Sequence, residues 1–196
     1  MPTRSTTRGT KVYPDRSSNQ TRNLVIIAAV AIGFIGLSIL LYLNVRPPAP
    51  LAGVVQFPRP ATGHDDSVEI PYGELPPAGG IHHNAWQNCG IYTQPIETKH
   101  VLHSLEHGAV WVTYQPDLPE SEVAALQDIV RGQSYLLLSP YPEQRSPVVL
   151  TAWGLQLEVE SASDRRIGQF IDRYRAGPQT PERGASCSNS IGSPIP

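Results

Sequence analysis

The chain is short of charge and of sulfur: charged side chains make up 16% of its 196 residues, and there are two cysteines and one methionine. Basic residues are especially scarce beyond the first 22 positions. That opening stretch holds Arg4, Arg8, Lys11, Arg16 and Arg22 against the single acid Asp15, leaving ten basic and sixteen acidic residues for everything after it. A body with that balance has no broad positive field for a phosphate backbone, so nucleic-acid binding is not expected. No repeat of fixed period is present, which argues against a solenoid. What the chain has in excess is proline, with 20, and glycine, with 16. That composition suits a loop-rich extracytoplasmic domain better than a helical cytosolic enzyme.

One long apolar run stands out. Residues 24–43 read LVIIAAVAIGFIGLSILLYL without a charge, and twenty helical residues at about 1.5 Å each cross a hydrocarbon core of roughly 30 Å. A cleaved signal peptide would have a shorter apolar centre ending at a small-residue site. The spacing therefore predicts a retained transmembrane helix over 23–44, in contact with the lipid bilayer through residues 24–43. Basic residues crowd its N-terminal side, so the positive-inside rule puts residues 1–22 in the cytoplasm and the body outside the cell membrane. Eight prolines between positions 47 and 77 exclude a regular helix there, and residues 45–69 read as an extended stalk.

An exported domain with only Cys89 and Cys187 can keep them joined as a disulfide in an oxidising compartment. The alternatives are two free thiols or two metal ligands, although so wide a separation is not a zinc-ribbon spacing. Asn88-Cys89-Gly90 has no second thiol at the distance a thioredoxin-type centre requires.

The domain itself is expected over 70–187, followed by a disordered tail at 188–196. Residues 109–114 are β-branched and aromatic and form the most clearly marked strand, placed centrally. Residues 120–131 have the apolar period of a helix, with acids in the first turn and Gly132 beyond the end. Strands are expected at 134–138, 147–153 and 155–160, a short edge strand within 67–72, and an amphipathic helix over 164–175. The order implies an α/β or α+β sandwich with a mixed sheet flanked by helices.

Five of the six histidines fall between positions 82 and 107. Thr98-Lys99-His100-Val101-Leu102-His103-Ser104-Leu105-Glu106-His107-Gly108 reads as a short helix, capped by Thr98 and stopped by Gly108. On it His100, His103 and His107 share one face, while Val101, Leu102 and Leu105 share the opposite one. Imidazoles at i and i+4 chelate one ion, and His82 or His83 can supply a third donor. The expected ligands are His103, His107 and His82, with His83 or His100 as substitutes and copper or zinc as the ion. Glu106 is read as a carboxylate that orients a histidine. His64, in a polar Gly-His-Asp-Asp stretch, reads as a solvated loop residue, and Trp86, Tyr92, Trp111 and Tyr114 read as core.

His103, Glu106 and His107 also match the H-x-x-E-H pattern, in which two histidines hold zinc and the glutamate activates water. The body is small for such a peptidase and the motif runs straight into a strand. Glu182, a possible third ligand 75 residues on, lies in a Pro/Gly-rich segment. Ser104 has no nucleophile elbow, so a serine hydrolase is a poor reading.

Pro76-Pro77-Ala78-Gly79-Gly80-Ile81-His82-His83, then Trp86, Cys89-Gly90-Ile91-Tyr92, and the block Val101-Leu102-His103-Ser104-Leu105-Glu106-His107-Gly108 resemble the bacterial domain-of-unknown-function 3105 family. The likeness covers about residues 70–187. It implies a single-span protein with an extracytoplasmic C-terminal domain and gives weight to the histidine block; it implies no reaction or ligand. The reading that results is a membrane-anchored metal-binding module with a binding or accessory role rather than catalysis. A structural or interaction module of a cell-envelope assembly, with an envelope protein as partner, is the competing class. A membrane-anchored H-x-x-E-H metallopeptidase is third.

Overall fold

The computed structural model describes residues 9–10, 16–45, 50–58 and 60–195. Most of the expected cytoplasmic tail at 1–22, together with residues 46–49, 59 and 196, lies outside the described residues. The chain divides into two compact units, at residues 1–49 and 50–196. The first contains helix α1, Arg16–Val45. Within it Asn19–Asn44, 26 residues, is long and apolar enough to cross a membrane, about 39 Å at helical rise.

In the second unit, strand β1 (Val55–Gln56) and strand β2 (Gly90–Ile91) are followed by helix α2 (Thr98–His107), strand β3 (Val110–Tyr114) and helix α3 (Glu120–Val130). Strands β4 (Leu136–Pro140), β5 (Val148–Ala152) and β6 (Leu155–Val159) precede helix α4 (Arg166–Tyr174). The six strands make one mixed sheet in the order β1-β6-β5-β3-β4-β2. Strands β2, β4 and β3 run parallel, while β5, β6 and β1 pair antiparallel. This is an α+β domain, and β3 is central as its composition predicts.

Alternation along the strands sorts side chains onto two faces. Val110, Val112, Leu136, Leu138, Leu150 and Leu157 point to one side, where Leu126 and Val130 of α3 and Ile167, Phe170 and Ile171 of α4 cover them. Trp111 and Leu137 point to the other side, where Val101, Leu102 and Leu105 of α2 meet them together with Tyr141 and Trp153. Trp111 is fully buried, and its indole Nε1 donates to Ser139 Oγ at 3.0 Å. Each such large side chain contributes roughly 1.5–3 kcal/mol of transfer free energy. Helix α2 thus rests on the sheet through one apolar stripe, and its other side is turned away from the sheet.

Three expectations need correction. The proline-rich stretch is not wholly a stalk: Val55 and Gln56 pair with Gln156 and Leu155, because an edge strand needs only one side of its backbone bonded and tolerates prolines nearby. No strand forms at 67–72. The tail expected to be disordered packs back on the domain as far as Ile195. Asn88 N–H donates to Ile191 O at 2.7 Å and Ile195 N–H to Ile91 O at 2.9 Å, covering the β2 edge that would otherwise stand open.

Candidate metal centre

Helix α2 begins one residue earlier than its sequence suggests. Glu97 takes the cap position without a side-chain bond, and Thr98 is the first residue inside. The C-terminal end is as expected: Gly108 adopts φ 115°, and its amide reaches Leu105 O and Ser104 O. A Cβ at Gly108 would approach Ala176 Cα to 2.9 Å, so the residue is needed both for its backbone angle and for its lack of a side chain. The helix then passes within two residues into β3, which fixes the last turn of α2 against the sheet.

Nearly all of α2 is buried, including His100, His103, Ser104, Glu106 and His107. Two irregular segments close over the side that carries them. The first is the 83–87 loop, where His83 N–H donates to Lys99 O and Gln87 N–H to His100 O, while Ser104 Oγ donates to Gln87 O at 2.7 Å. The second is the 182–188 segment, whose Glu182 and Gly184 amides donate to Glu106 O and His107 O, each at 3.0 Å. Those carbonyls end a helix and have no intrahelical partner, so the segment satisfies them. The Cys89–Cys187 disulfide, Cα atoms 5.4 Å apart, ties this segment to the domain as predicted. Trp86, expected in the core, is half-buried instead. Its ring lies 5.7 Å from His103 and 5.2 Å from His107, and its Nε1 donates to Ser188 O.

The imidazoles are oriented by backbone carbonyls. His82 Nδ1 donates to Gly80 O at 2.8 Å, His103 Nδ1 to His83 O at 3.0 Å, His100 Nδ1 to Ala85 O at 2.7 Å, and His107 Nδ1 to Ser186 O. A carbonyl only accepts, so each of these rings carries its proton on Nδ1 and, when neutral, its lone pair on Nε2. This is the arrangement that prepares an imidazole for a metal. His103 is pushed down to about 4, chiefly by burial, with the neighbouring His107, His82 and His64 acting in the same direction against the His83 carbonyl. At neutral pH its Nε2 is therefore unprotonated.

His64, His82, His103 and Glu106 bring one donor atom each to within 4.8 Å of one another. His103, His107 and Glu182 form a second such group. In the first, His82 Nε2 and Glu106 Oε2 are 3.0 Å apart, fully buried, and without a hydrogen-bond partner. A buried imidazole nitrogen and carboxylate oxygen held this close call for a positive charge between them, a proton on Nε2 or a metal cation, and a cation bound by both satisfies both atoms. The spacing also suits one: two donors each about 2.0–2.1 Å from a tetrahedral ion lie about 3.3 Å apart. In the second group His107 Nε2 and Glu182 Oε2 are 3.4 Å apart. The negative end of the α2 dipole points at the same place.

Of the expected ligands, the structure brings His82, His103 and His107 into these groups, together with Glu106, and leaves His83 and His100 out. His83 Nδ1 accepts the Ala85 N–H at 2.9 Å, so its lone pair is spent on the loop. His100 Nε2 faces Glu97 at 3.4 Å, but Lys99 already supplies that carboxylate with a cation at 3.3 Å. His64 is an exposed residue of an irregular segment, as expected, but it does not stand apart from the other histidines. Its side chain is 33% exposed, yet its ring stands 4.8 Å from His82 and 4.6 Å from His103. The cause is a backbone bridge, with His82 N–H donating to Gly63 O and Asp65 N–H to His82 O, which lays the 63–65 segment beside the 80–82 turn.

The molecule is thus an α+β domain, preceded by an apolar helix, with a buried histidine and carboxylate cluster that can hold a metal ion. A family model, described as protein of unknown function (DUF3105), matches residues 64–189, and the chain belongs to that family. The match takes in His64, all the other cluster residues and both cysteines. No curated protein and no solved structure matches the chain.

Proposed function

We propose that the protein is a single-pass membrane protein whose domain stands outside the cytoplasm and binds one zinc or copper ion in a binding or accessory role. The observation that carries the reading is the buried pair His82 Nε2 and Glu106 Oε2, 3.0 Å apart and unbonded, with His103 and His64 converging on it. Three imidazole nitrogens and one carboxylate oxygen suit zinc or copper better than the harder magnesium and calcium ions. The apolar helix α1 supports anchoring in a lipid bilayer, and the basic residues before it support an N-terminus in the cytoplasm. The disulfide supports an oxidising compartment. A role as an interaction module of an envelope assembly is compatible with the ion's being structural.

A hydrolytic reading has one observation in its favour, the meeting of His103, His107 and Glu182. Against it, Glu106 is 3% exposed and set beside His82 among the donors of the first group, instead of facing an open water position next to the His103, His107 and Glu182 group.

The test uses the full chain in detergent micelles without a polyhistidine tag. About one equivalent of zinc or copper and a rise in melting temperature on adding either are expected, since a ligand bound only by the folded state stabilises it. His82→Gln and His103→Gln should each remove most of that rise. A chain with no bound metal and no thermal response would overturn the metal reading in favour of a purely structural module. Loss of peptide cleavage in Glu106→Gln with metal retained would establish the peptidase.

A further inference from the structure

The two groups described above share one residue. His103 belongs both to the set with His64, His82 and Glu106 and to the set with His107 and Glu182. Its ring lies between the others, 4.6 Å from His64, 5.0 Å from His82 and 4.5 Å from His107. An imidazole can bridge two ions only by giving up both ring nitrogens. Here Nδ1 is committed as a donor to His83 O, which leaves Nε2 as the one lone pair.

We propose that the site has two alternative seats for a single ion, an inner seat at His64, His82, His103 and Glu106 and an outer seat at His103, His107 and Glu182, which cannot be filled together. The inference rests on the metal reading above and extends it to the path of the ion. Each seat has one solvent-facing member, but in the outer seat it is the Glu182 carboxylate, 50% exposed, and in the inner seat the His64 imidazole, 33% exposed, with Glu106, His82, His103 and His107 buried. The outer seat is therefore where a divalent ion first meets the protein. Transfer inward keeps the bond to His103 and exchanges His107 and Glu182 for His82, His64 and Glu106. The move exchanges one carboxylate for another and needs no electron, and His82, His103 and His107 each have Nδ1 bonded to a carbonyl, which leaves Nε2 as their donor atom. Trp86 lies beside His103 and His107, and the 182–188 segment that carries Glu182 is held by the disulfide and by the His107 and Glu106 carbonyls.

Cobalt(II) is a suitable probe, since it follows zinc in ligand choice and its visible spectrum reports coordination. The full chain in micelles, titrated with cobalt, should saturate at one ion per chain. Glu182→Gln and His107→Gln should keep that stoichiometry and spectrum while slowing uptake and chelator-driven release by about tenfold, the lower end of effects seen when groups around a metal are altered. The double variant His82→Gln/Glu106→Gln should still bind one ion, at least tenfold more weakly and with a changed spectrum. Adding His107→Gln to that variant should abolish binding. Circular dichroism on each variant reports whether the domain is folded. Two cobalt ions bound at once by the wild type would overturn the exclusivity. A folded double variant with no binding, or unchanged exchange rates in both outer-seat variants, would overturn the outer seat while leaving the single-ion reading intact. No binding by the wild type would overturn the metal reading itself.

Discussion

Helices α2 and α4 are of similar length and lie on opposite faces of the same sheet, yet they are buried in different ways. In α4, burial follows the helical period: Ile167, Phe170 and Ile171 face the sheet, and the other side is left to solvent, as an amphipathic helix requires. In α2 an equally clear apolar stripe, Val101, Leu102 and Leu105, faces the sheet, but the polar side is enclosed as well. What encloses it is irregular chain, the 83–87 loop and the 182–188 segment, fixed by backbone bonds and a disulfide. Burying histidines and a glutamate under loops stabilises nothing by the hydrophobic effect and carries a desolvation cost. The contrast marks α4 as a helix that serves the core alone and α2 as one that serves the core on one side and carries the candidate metal centre on the other.

The largest effect that can break this contrast is loss of the disulfide. Closing a loop of 98 residues contributes up to about 4–5 kcal/mol on the chain-entropy model. Cys89→Ser/Cys187→Ser should lower the denaturation midpoint accordingly and speed amide exchange at Glu182 and Gly184, while exchange in α4 stays slow. In protein taken from membranes both thiols should resist alkylation until a reductant is added. Freely reactive cysteines would overturn both the bond and the outward placement of the domain.

Removing the α4 anchor should act through the core alone. Phe170 is completely buried between the sheet and its own helix, and Phe170→Ala should cost about 3–5 kcal/mol by lost transfer energy and a residual cavity. Denaturant titration would measure it. The metal affinity of the folded fraction should be unchanged, since Phe170 packs in the core on the α3 and α4 side of the sheet, while the donor residues are carried by and around α2 on the opposite side. A parallel loss of metal affinity would show that the two faces are coupled and would remove the distinction between them.

The two helices also mark where the sequence is legible. Strands β3, β5 and β6, buried on both faces, announce themselves as short runs rich in β-branched, aromatic and other apolar residues, and helices α3 and α4 by the period that burial of one face imposes. Gly108 announces the end of α2 because only glycine adopts its backbone angle at low cost. The pairing of Cys89 with Cys187 follows from there being no other cysteine. The two-residue strands β1 and β2 are too short to carry a period. The parts of the site that come from distant loops, His64 and Glu182, leave no local signal: each is an ordinary polar residue in a proline- and glycine-rich stretch, brought in by backbone bonds to residues 18 and 76 positions away. The tautomers could not be read either, since they depend on which carbonyl each Nδ1 meets. His83 and His82 are neighbours in sequence and have opposite assignments for that reason.

The smallest effect has an unusual sign. Glu106 Oε2 is buried, 3.0 Å from His82 Nε2, and unbonded. In the metal-free protein this carboxylate bears a desolvation cost with no compensating hydrogen bond, a penalty on the order of 1–3 kcal/mol for such a group. Glu106→Gln keeps the shape, removes the charge and can turn an amide N–H toward the His82 Nε2 lone pair. The metal-free variant should therefore be more stable than the metal-free wild type by about 1 kcal/mol, and the metal-saturated variant less stable than the metal-saturated wild type. Paired denaturation curves with and without zinc would reveal the crossing. Functional sites commonly hold such strain at the expense of stability, and no comparable gain is expected from polar substitutions on α4. If Glu106→Gln destabilises the metal-free chain instead, the carboxylate is a structural partner of His82, and the enclosure of α2 would need an explanation other than an ion.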